Sequence, residues 1–199
     1  MSDQKVAAII LAAGASTRLG RPKQLLDWFG KPFIKHLVDI AHQTQLDPVV
    51  VVTGSGHEAI EKAIEDDNVF IVHNKDWQKG QSSSMQAGCK ALLGNPAEAF
   101  IIFLCDQPQV PVELVERMIV ESKRDELDIV ATSVQSKICP PTLFKKKCID
   151  GILSLQGDQG GRALFTVYKT QILDWQDSRL IQDSDTEEDY IKLKRLYSN

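Results

Sequence analysis

The chain has little that would staple it or embed it in a membrane. The apolar run Val6–Ala13 is far too short to span a bilayer and opens into a loop of small residues, and nothing resembles a signal peptide. The four cysteines, Cys89, Cys105, Cys139 and Cys148, show no C-x-x-C spacing. That argues against structural zinc and fits isolated, reduced thiols in a cytoplasmic protein. The four histidines, His36, His42, His57 and His73, are scattered without ligand spacing. His57 is expected to open a helix and His73 to end a strand, both in surface or structural roles. There is no internal repeat, low-complexity tract or obvious linker. A formal net charge of −4 speaks against a general nucleic-acid binder, so local cations must draw any anionic ligand.

Two familiar nucleotide signatures are missing or weak as well. A Walker A loop counted from Gly14 would need its second glycine at Leu19, and Lys23 is followed by Gln24. The dinucleotide pattern G-x-G-x-x-G/A fails at Gly14-Ala15-Ser16 but is met by Gly54-Ser55-Gly56-His57-Glu58-Ala59. That short match keeps an NAD-binding protein, with a ribose partner near Asp76, as a competing reading.

What is present is a strand–helix alternation. Val6–Leu11, Val49–Thr53, Val69–His73, Ala99–Leu104 and Ile129–Thr132 are nearly continuous apolar runs, as expected of strands covered on both faces. Phe33–Gln43, Val112–Lys123, Ser83–Leu93 and Glu187–Leu196 carry helical patterns, the last with Tyr190, Leu193 and Leu196 inward. Ser82 or Ser83 is a candidate N-cap for the Ser83–Leu93 helix. Past Ile129 the pattern loosens: Cys139-Pro140-Pro141 reads as a rigid extended segment and Lys145–Lys147 as a solvated helix face. The expected architecture is α/β: a single three-layer domain over residues 1–199 with a doubly wound, mainly parallel sheet. Ligands bind such sheets at the carboxyl ends of the strands. The loop after Leu11, the turn after Thr53 and the turn at Asp106 all fall there.

The richest segment is Leu11-Ala12-Ala13-Gly14-Ala15-Ser16-Thr17-Arg18-Leu19-Gly20-Arg21-Pro22-Lys23. Small residues let backbone N–H groups approach a ligand, and Arg18, Arg21 and Lys23 follow with positive charge. The combination suits a nucleoside triphosphate; the alternative is an ordinary strand-to-helix turn with solvated charges. Lys23 is the candidate for the triphosphate contact, with Arg18 assisting and Arg21 on the surface. Ala12, Ala13 and Gly14 are expected to contact base and ribose through backbone atoms, with Leu11 and Thr53 also in the nucleotide site. Asp106, at a strand end before Pro108, is a candidate magnesium ligand or, alternatively, a turn-forming aspartate.

The pattern L-A-A-G-x-S-x-R-x-G-x-P-K-x-L-L resembles the N-terminal signature of nucleotidyltransferases related to the molybdenum cofactor guanylyl- and cytidylyltransferases. Gly80-Gln81-Ser82-Ser83-Ser84-Met85 is similar to a segment of the cytidylyl branch, and the Gly-Pro-Leu-Ala-Gly-like segment of the guanylyl branch is missing. Cys105-Asp106-Gln107-Pro108, Gly157-Asp158-Gln159-Gly160-Gly161-Arg162 and Asp183–Asp189 resemble later family motifs, in the family's order. The resemblance implies a Rossmann-like nucleotidyltransferase fold and a Mg2+-dependent transfer of CMP from CTP to a molybdopterin-type phosphate. GTP, or another small phosphate acceptor, is the runner-up within the class.

It also implies Asp106 and Asp185 as metal ligands, with Asp183 in reserve, although Asp185 or Thr186 can instead cap the terminal helix. Gly80 and Ser84 would discriminate the base, and Lys23, Arg18 and Asp106 would be catalytic. Asp158, Gly160, Gly161 and Arg162 would hold the acceptor phosphate, unless Gly157 and Asp158 simply end one helix and begin the next. Pro141-Thr142-Leu143-Phe144 resembles the family's P-x-L-F strand, but Cys139 stands where a glycine usually precedes it by two residues, which weakens the acceptor assignment relative to the nucleotide. A molybdoenzyme would receive the product, and a non-catalytic carrier of the pterin cofactor is a third reading.

Overall fold

A computed structural model describes residues 4–198. In chain order the elements are β1 (Val6–Ala12), β2 (Asp27–Trp28), β3 (Lys31–Pro32), α1 (Phe33–Gln43), β4 (Val49–Thr53), α2 (His57–Lys62), β5 (Phe70–His73) and α3 (Gln81–Ala91). There follow β6 (Ala99–Leu104), α4 (Val112–Ser122), β7 (Ile129–Val134), β8 (Lys137–Lys145), α5 (Ile149–Leu153), β9 (Thr170–Asp174) and α6 (Glu187–Tyr197). Seven strands form one sheet in the order β5-β4-β1-β6-β8-β7-β9, and β2 pairs with β3 in a separate hairpin.

β1 and β4 are buried at every position because helices cover both faces of the sheet there, whereas β5, expected to be covered likewise, is an edge strand with Phe70, Ile71 and His73 exposed. Ile10, Val51 and Ile101 pack with Phe33 and Leu37 of α1 and with Leu114 and Met118 of α4. Their neighbours Ile9, Val52 and Ile102 point the other way, onto Met85 and Cys89 of α3 and Ile152 of α5. Alternate strand residues thus feed two separate cores. Each fully buried large aliphatic side chain contributes about 1.5–3 kcal/mol.

The parallel expectation holds for β5-β4-β1-β6 and for β7 with β9, whereas β8 runs antiparallel to both β6 and β7. The reversal is made by Gln135 and Ser136, which join β7 to β8 with φ of 50° and 65°. Two successive positive φ values make the tight turn whose twist matches a hairpin. Neither residue is the Asn-Gly that announces such a turn, so the reversal has no local sequence signal. Cys139-Pro140-Pro141 therefore lies inside β8, where the β7–β8 register slips at Ala131/Thr132.

Four other expectations are corrected. Lys145–Lys147 is a solvated helix face only in part: Lys146 and Lys147 are exposed on a short 3-10 turn, but Lys145 ends β8 and its ammonium donates to the Arg124 carbonyl at 2.8 Å. Leu196 does not face inward but is 39 % exposed, while Tyr190 and Leu193 are buried. Neither Ser82 nor Ser83 caps α3, which starts after Gly80 with no side-chain cap. Gly157 and Asp158 do not join two α-helices; they lie in a turn beyond α5, Gly157 with φ of 58°.

Candidate active site

The carboxyl ends of β1, β4 and β6 open on one edge of the sheet. The loop leaving β1 is pinned from beneath by Gln24, a buried amide that donates to the carbonyls of Ala12 and Gly14, both at 2.9 Å. Ser16 turns the chain with φ of 52°, and its hydroxyl accepts from the Lys23 N–H at 3.0 Å. The loop is thereby folded back so that Lys23 points into the cleft with only 12 % of its side chain exposed. Its ammonium pairs with Asp185 and lies 3.7 Å from Asp106 Oδ2. Arg18, largely exposed, also pairs with Asp185. Arg21 stays on the surface, bonded to Glu187 at 2.7 and 2.9 Å.

Two polar ties bring the end of the chain to this place. Ser184 donates to the Asp106 carbonyl at 2.7 Å, and the buried Gln109 amide donates to the carbonyls of Leu180 and Gln182, both at 3.0 Å. The capping alternative at Asp185 is removed by α6. Thr186 is its N-cap, accepting from the Asp189 N–H, and Asp189 accepts in return from the Thr186 N–H, both at 3.1 Å. This reciprocal box leaves the Asp185 carboxylate to the cleft. Asp183 is exposed.

Across the cleft, Gly80 has φ of 102°, and a Cβ there would come within 2.4 Å of the Gly157 backbone. No other residue fits, since both the conformation and the space forbid a side chain. The Ser82 N–H and hydroxyl both donate to the Gly157 carbonyl, at 3.1 and 2.7 Å. Asn74 donates to the hydroxyls of Ser83 and Ser84 at 2.9 and 3.0 Å. The result is a cavity of about 340 Å³ lined by Leu11, Ala13, Gly14, Lys23, Gly80, Ser84, Asp106 and Asp158, with Trp77 on one wall. A second cavity of about 220 Å³ is lined by Cys139, Pro140, Thr142, Phe144, Gly160, Gly161 and Arg162. Gln81 and Leu104 line both, so the two are neighbours in one cleft.

The electrostatics set the two carboxylates apart. Burial pushes the Asp106 carboxyl above its ordinary value; Lys23 pulls it back and the charge on Asp185 pushes it up again. Asp185 is held below the ordinary range by the hydrogen bond from Lys23, against a burial cost, with the charges of Lys23 and Arg18 adding to it. The neighbouring Cys105 thiol is driven well above its usual value by burial, which leaves it inert as a nucleophile. Two carboxylates that converge on one ammonium form a hard-oxygen donor set. Magnesium and manganese ions take such sets, with one or two carboxylates and the rest from phosphates and water. The residues fit such an ion.

Two residues of the expected nucleotide set lie outside the cleft. Thr53 has no exposed surface, and its hydroxyl donates to Glu61 Oε1 at 2.7 Å. Ala12 is buried under the loop, its carbonyl taken by Gln24. Sequence reasoning missed Gln24, Ser16, Trp77 and Gln81. Gln24 was the most findable, as a polar residue beside Lys23 in an otherwise apolar approach to a strand. The dinucleotide-like Gly54 offers no opening: a Cβ there would lie 2.8 Å from Ala13 and 2.9 Å from Trp77. That glycine serves packing.

A mostly parallel sheet, a small-residue loop at its carboxyl edge and a lysine shared by two carboxylates define a nucleotidyltransferase of the α/β type. A family profile described as the MobA-like NTP transferase domain matches residues 8–173, and the chain belongs to that family. Among curated relatives it is 27 % identical to the purine catabolism protein PucB of Bacillus subtilis, covering 100 % of both chains. It is 28 % identical to the nicotine blue oxidoreductase of Paenarthrobacter nicotinovorans, over 94 % of this chain and 96 % of that one. A probable molybdenum cofactor guanylyltransferase of Bacillus anthracis is 28 % identical over 68 % of this chain and 66 % of its own. The fold matches the crystal structure of Rv0371c from Mycobacterium tuberculosis with a TM-score of 0.85, at 24 % identity, over 98 % of this chain and 100 % of that one.

Proposed function

We propose that the protein transfers CMP from CTP to the phosphate of a molybdopterin-type acceptor and releases pyrophosphate, with Mg2+ as its cofactor. The observation that carries this reading is the Lys23 ammonium shared by Asp106 and Asp185 at the cleft. Two cations, Lys23 and Arg18, there face two carboxylates, so the site alone offers a triphosphate no net attraction. Asp106 and Asp185 would hold a divalent cation, which would supply Lewis-acid stabilisation of the phosphate charge and so change that balance. Lys23 and Arg18 then serve the phosphates, Lys23 as a point charge and Arg18 as a fork that grips two oxygens.

The acceptor phosphate oxygen forms the new bond to the α-phosphorus as the bond to pyrophosphate breaks. A phosphate monoester is anionic near neutral pH, so the chain needs no general base. Gly80 and Ser84 shape the base side. The apolar second cavity, with Gly161 and Arg162 at its edge, suits a planar acceptor carrying a phosphate. Gly160 lines the same cavity, whereas Asp158, expected with it, lines the first cavity on the nucleotide side. The cytidylyl-like Gly80–Met85 segment favours CTP over GTP. The relative named as a molybdenum cofactor guanylyltransferase supports the acceptor class. Delivery of the product to a molybdoenzyme, in the cytoplasm, belongs to the same reading.

The test supplies the purified protein with Mg2+, a molybdopterin acceptor and CTP or GTP, and measures pyrophosphate and the dinucleotide mass. CTP-dependent product formation is expected. A GTP preference overturns the base assignment, and no product with either triphosphate overturns the reaction.

A further inference from the structure

Among the described residues, one group of metal-ligating side chains outside the cleft brings three ligand atoms within 4.8 Å of one another: His57, Glu61 and His73. We propose that this trio binds a divalent transition-metal ion of the zinc type, at a site separate from the carboxylate pair.

The backbone makes the meeting unavoidable. Thr53 ends β4 and is the register partner of His73, which ends β5. α2 then starts at His57, and the four-residue spacing to Glu61 puts both side chains on one helical face. His57 Nδ1 is inaccessible to solvent, lacks a hydrogen-bond partner and sits 3.4 Å from Glu61 Oε1. The imidazoles of His57 and His73 are stacked, ring centres 3.9 Å apart and tilted by 31°; their in-plane lone pairs run side by side, so both aim at one ion only once the exposed His73 ring turns. The Thr53 hydroxyl donates to Glu61 Oε1 at 2.7 Å, the kind of outer contact that orients a ligating carboxylate.

Two imidazoles and one carboxylate are a borderline donor set, matched to zinc rather than to magnesium. Zinc bonds of about 2.0–2.1 Å require the ligand atoms to draw somewhat closer. Exposed His73 can turn to meet that demand. Three protein ligands leave a coordination position for water or an external group. The ion would clamp α2 to β5 beside the nucleotide loop, since the Ser55 N–H donates to the Ala13 carbonyl at 3.1 Å.

The experiment titrates Zn2+ alone into the full chain by calorimetry, in an Asp106→Asn/Asp185→Asn background that silences the cleft carboxylates. Cobalt(II) absorption spectra report the ligand field in parallel. One equivalent of Zn2+ is expected to bind. His57→Ala and His73→Ala, each added to that background, should weaken it at least about tenfold, the lower range for losing even an outer-shell partner. Circular dichroism confirms that the variants fold, and His73→Gln, at an exposed position, provides a second probe if His57→Ala does not. Unchanged Zn2+ affinity in the His73 variants, or no binding once the cleft carboxylates are replaced, overturns the proposal.

Discussion

Lys23 and Asp185, 162 positions apart in sequence, are joined in one ion pair over the loop that leaves β1. The pair couples the first strand to the approach of the last helix, and it places the ammonium beside Asp106 as well. Three residues from three parts of the chain thus meet in the cleft.

Asp106→Asn separates folding from chemistry. Turnover, followed by pyrophosphate release, should fall by roughly 10²–10³-fold, the typical loss on removing one electrostatic stabiliser. Because the Asp106 side chain is 41 % exposed and lies 3.7 Å from the Lys23 ammonium, the neutral amide should leave the melting temperature close to that of the wild type. Near-normal turnover would remove Asp106 from the site.

Lys23→Ala should raise the triphosphate KM about tenfold or more, the range for losing a charged hydrogen bond, and lower kcat as well. Without nucleotide the same variant should bind Mn2+ more tightly than the wild type, because no ammonium then competes for Asp106 and Asp185. Calorimetry reads the second effect. Weaker Mn2+ binding would mean that Lys23 supports the carboxylates rather than competing for them.

Arg162 is exposed and lines the second cavity. Arg162→Ala should raise the acceptor KM by at least about tenfold and leave the triphosphate KM unchanged. Steady-state kinetics with each substrate varied in turn checks the split. Equal effects on both substrates would place Arg162 on the nucleotide side.

Asp128 gives the pH dependence. Burial raises its carboxyl, but the Lys147 hydrogen bond and the Lys169 N–H at 3.1 Å more than offset this, so its pKa lies below the ordinary 3.8. A depressed carboxylate contributes stability that is fully present above the unfolded value and lost as pH falls through the folded one. The melting-temperature gap between wild type and Asp128→Asn should be constant near neutrality and close only below about pH 4. A gap that persists in stronger acid would assign the effect to packing.

The parallel half of the sheet was legible because β1, β4 and β6 are buried on both faces and so read as unbroken apolar runs. In β8 only Pro141–Phe144 was legible, through its resemblance to a family strand; its start and its antiparallel direction were not, because the Gln135-Ser136 turn carries no local hairpin signal and the direction is set by pairing with β6 and β7. At the site, Lys23, Asp106 and Asp185 could be named from their motifs. Thr53 was misplaced because a residue at a strand's carboxyl end can point either into the cleft or beneath it. Its bond to Glu61 is a tertiary fact that no local pattern contains. Gln24 escaped for the same reason: its role is to fill two carbonyls on a loop ten and twelve residues away.

The most direct measurement is the anomalous diffraction of a crystal grown with Mn2+ and CTP. A manganese peak at bonding distance, about 2.1 Å, from both Asp106 and Asp185, with Lys23 turned onto the phosphates, is the expected result. A peak bound elsewhere, with Lys23 still paired to Asp185 beside the nucleotide, would contradict it.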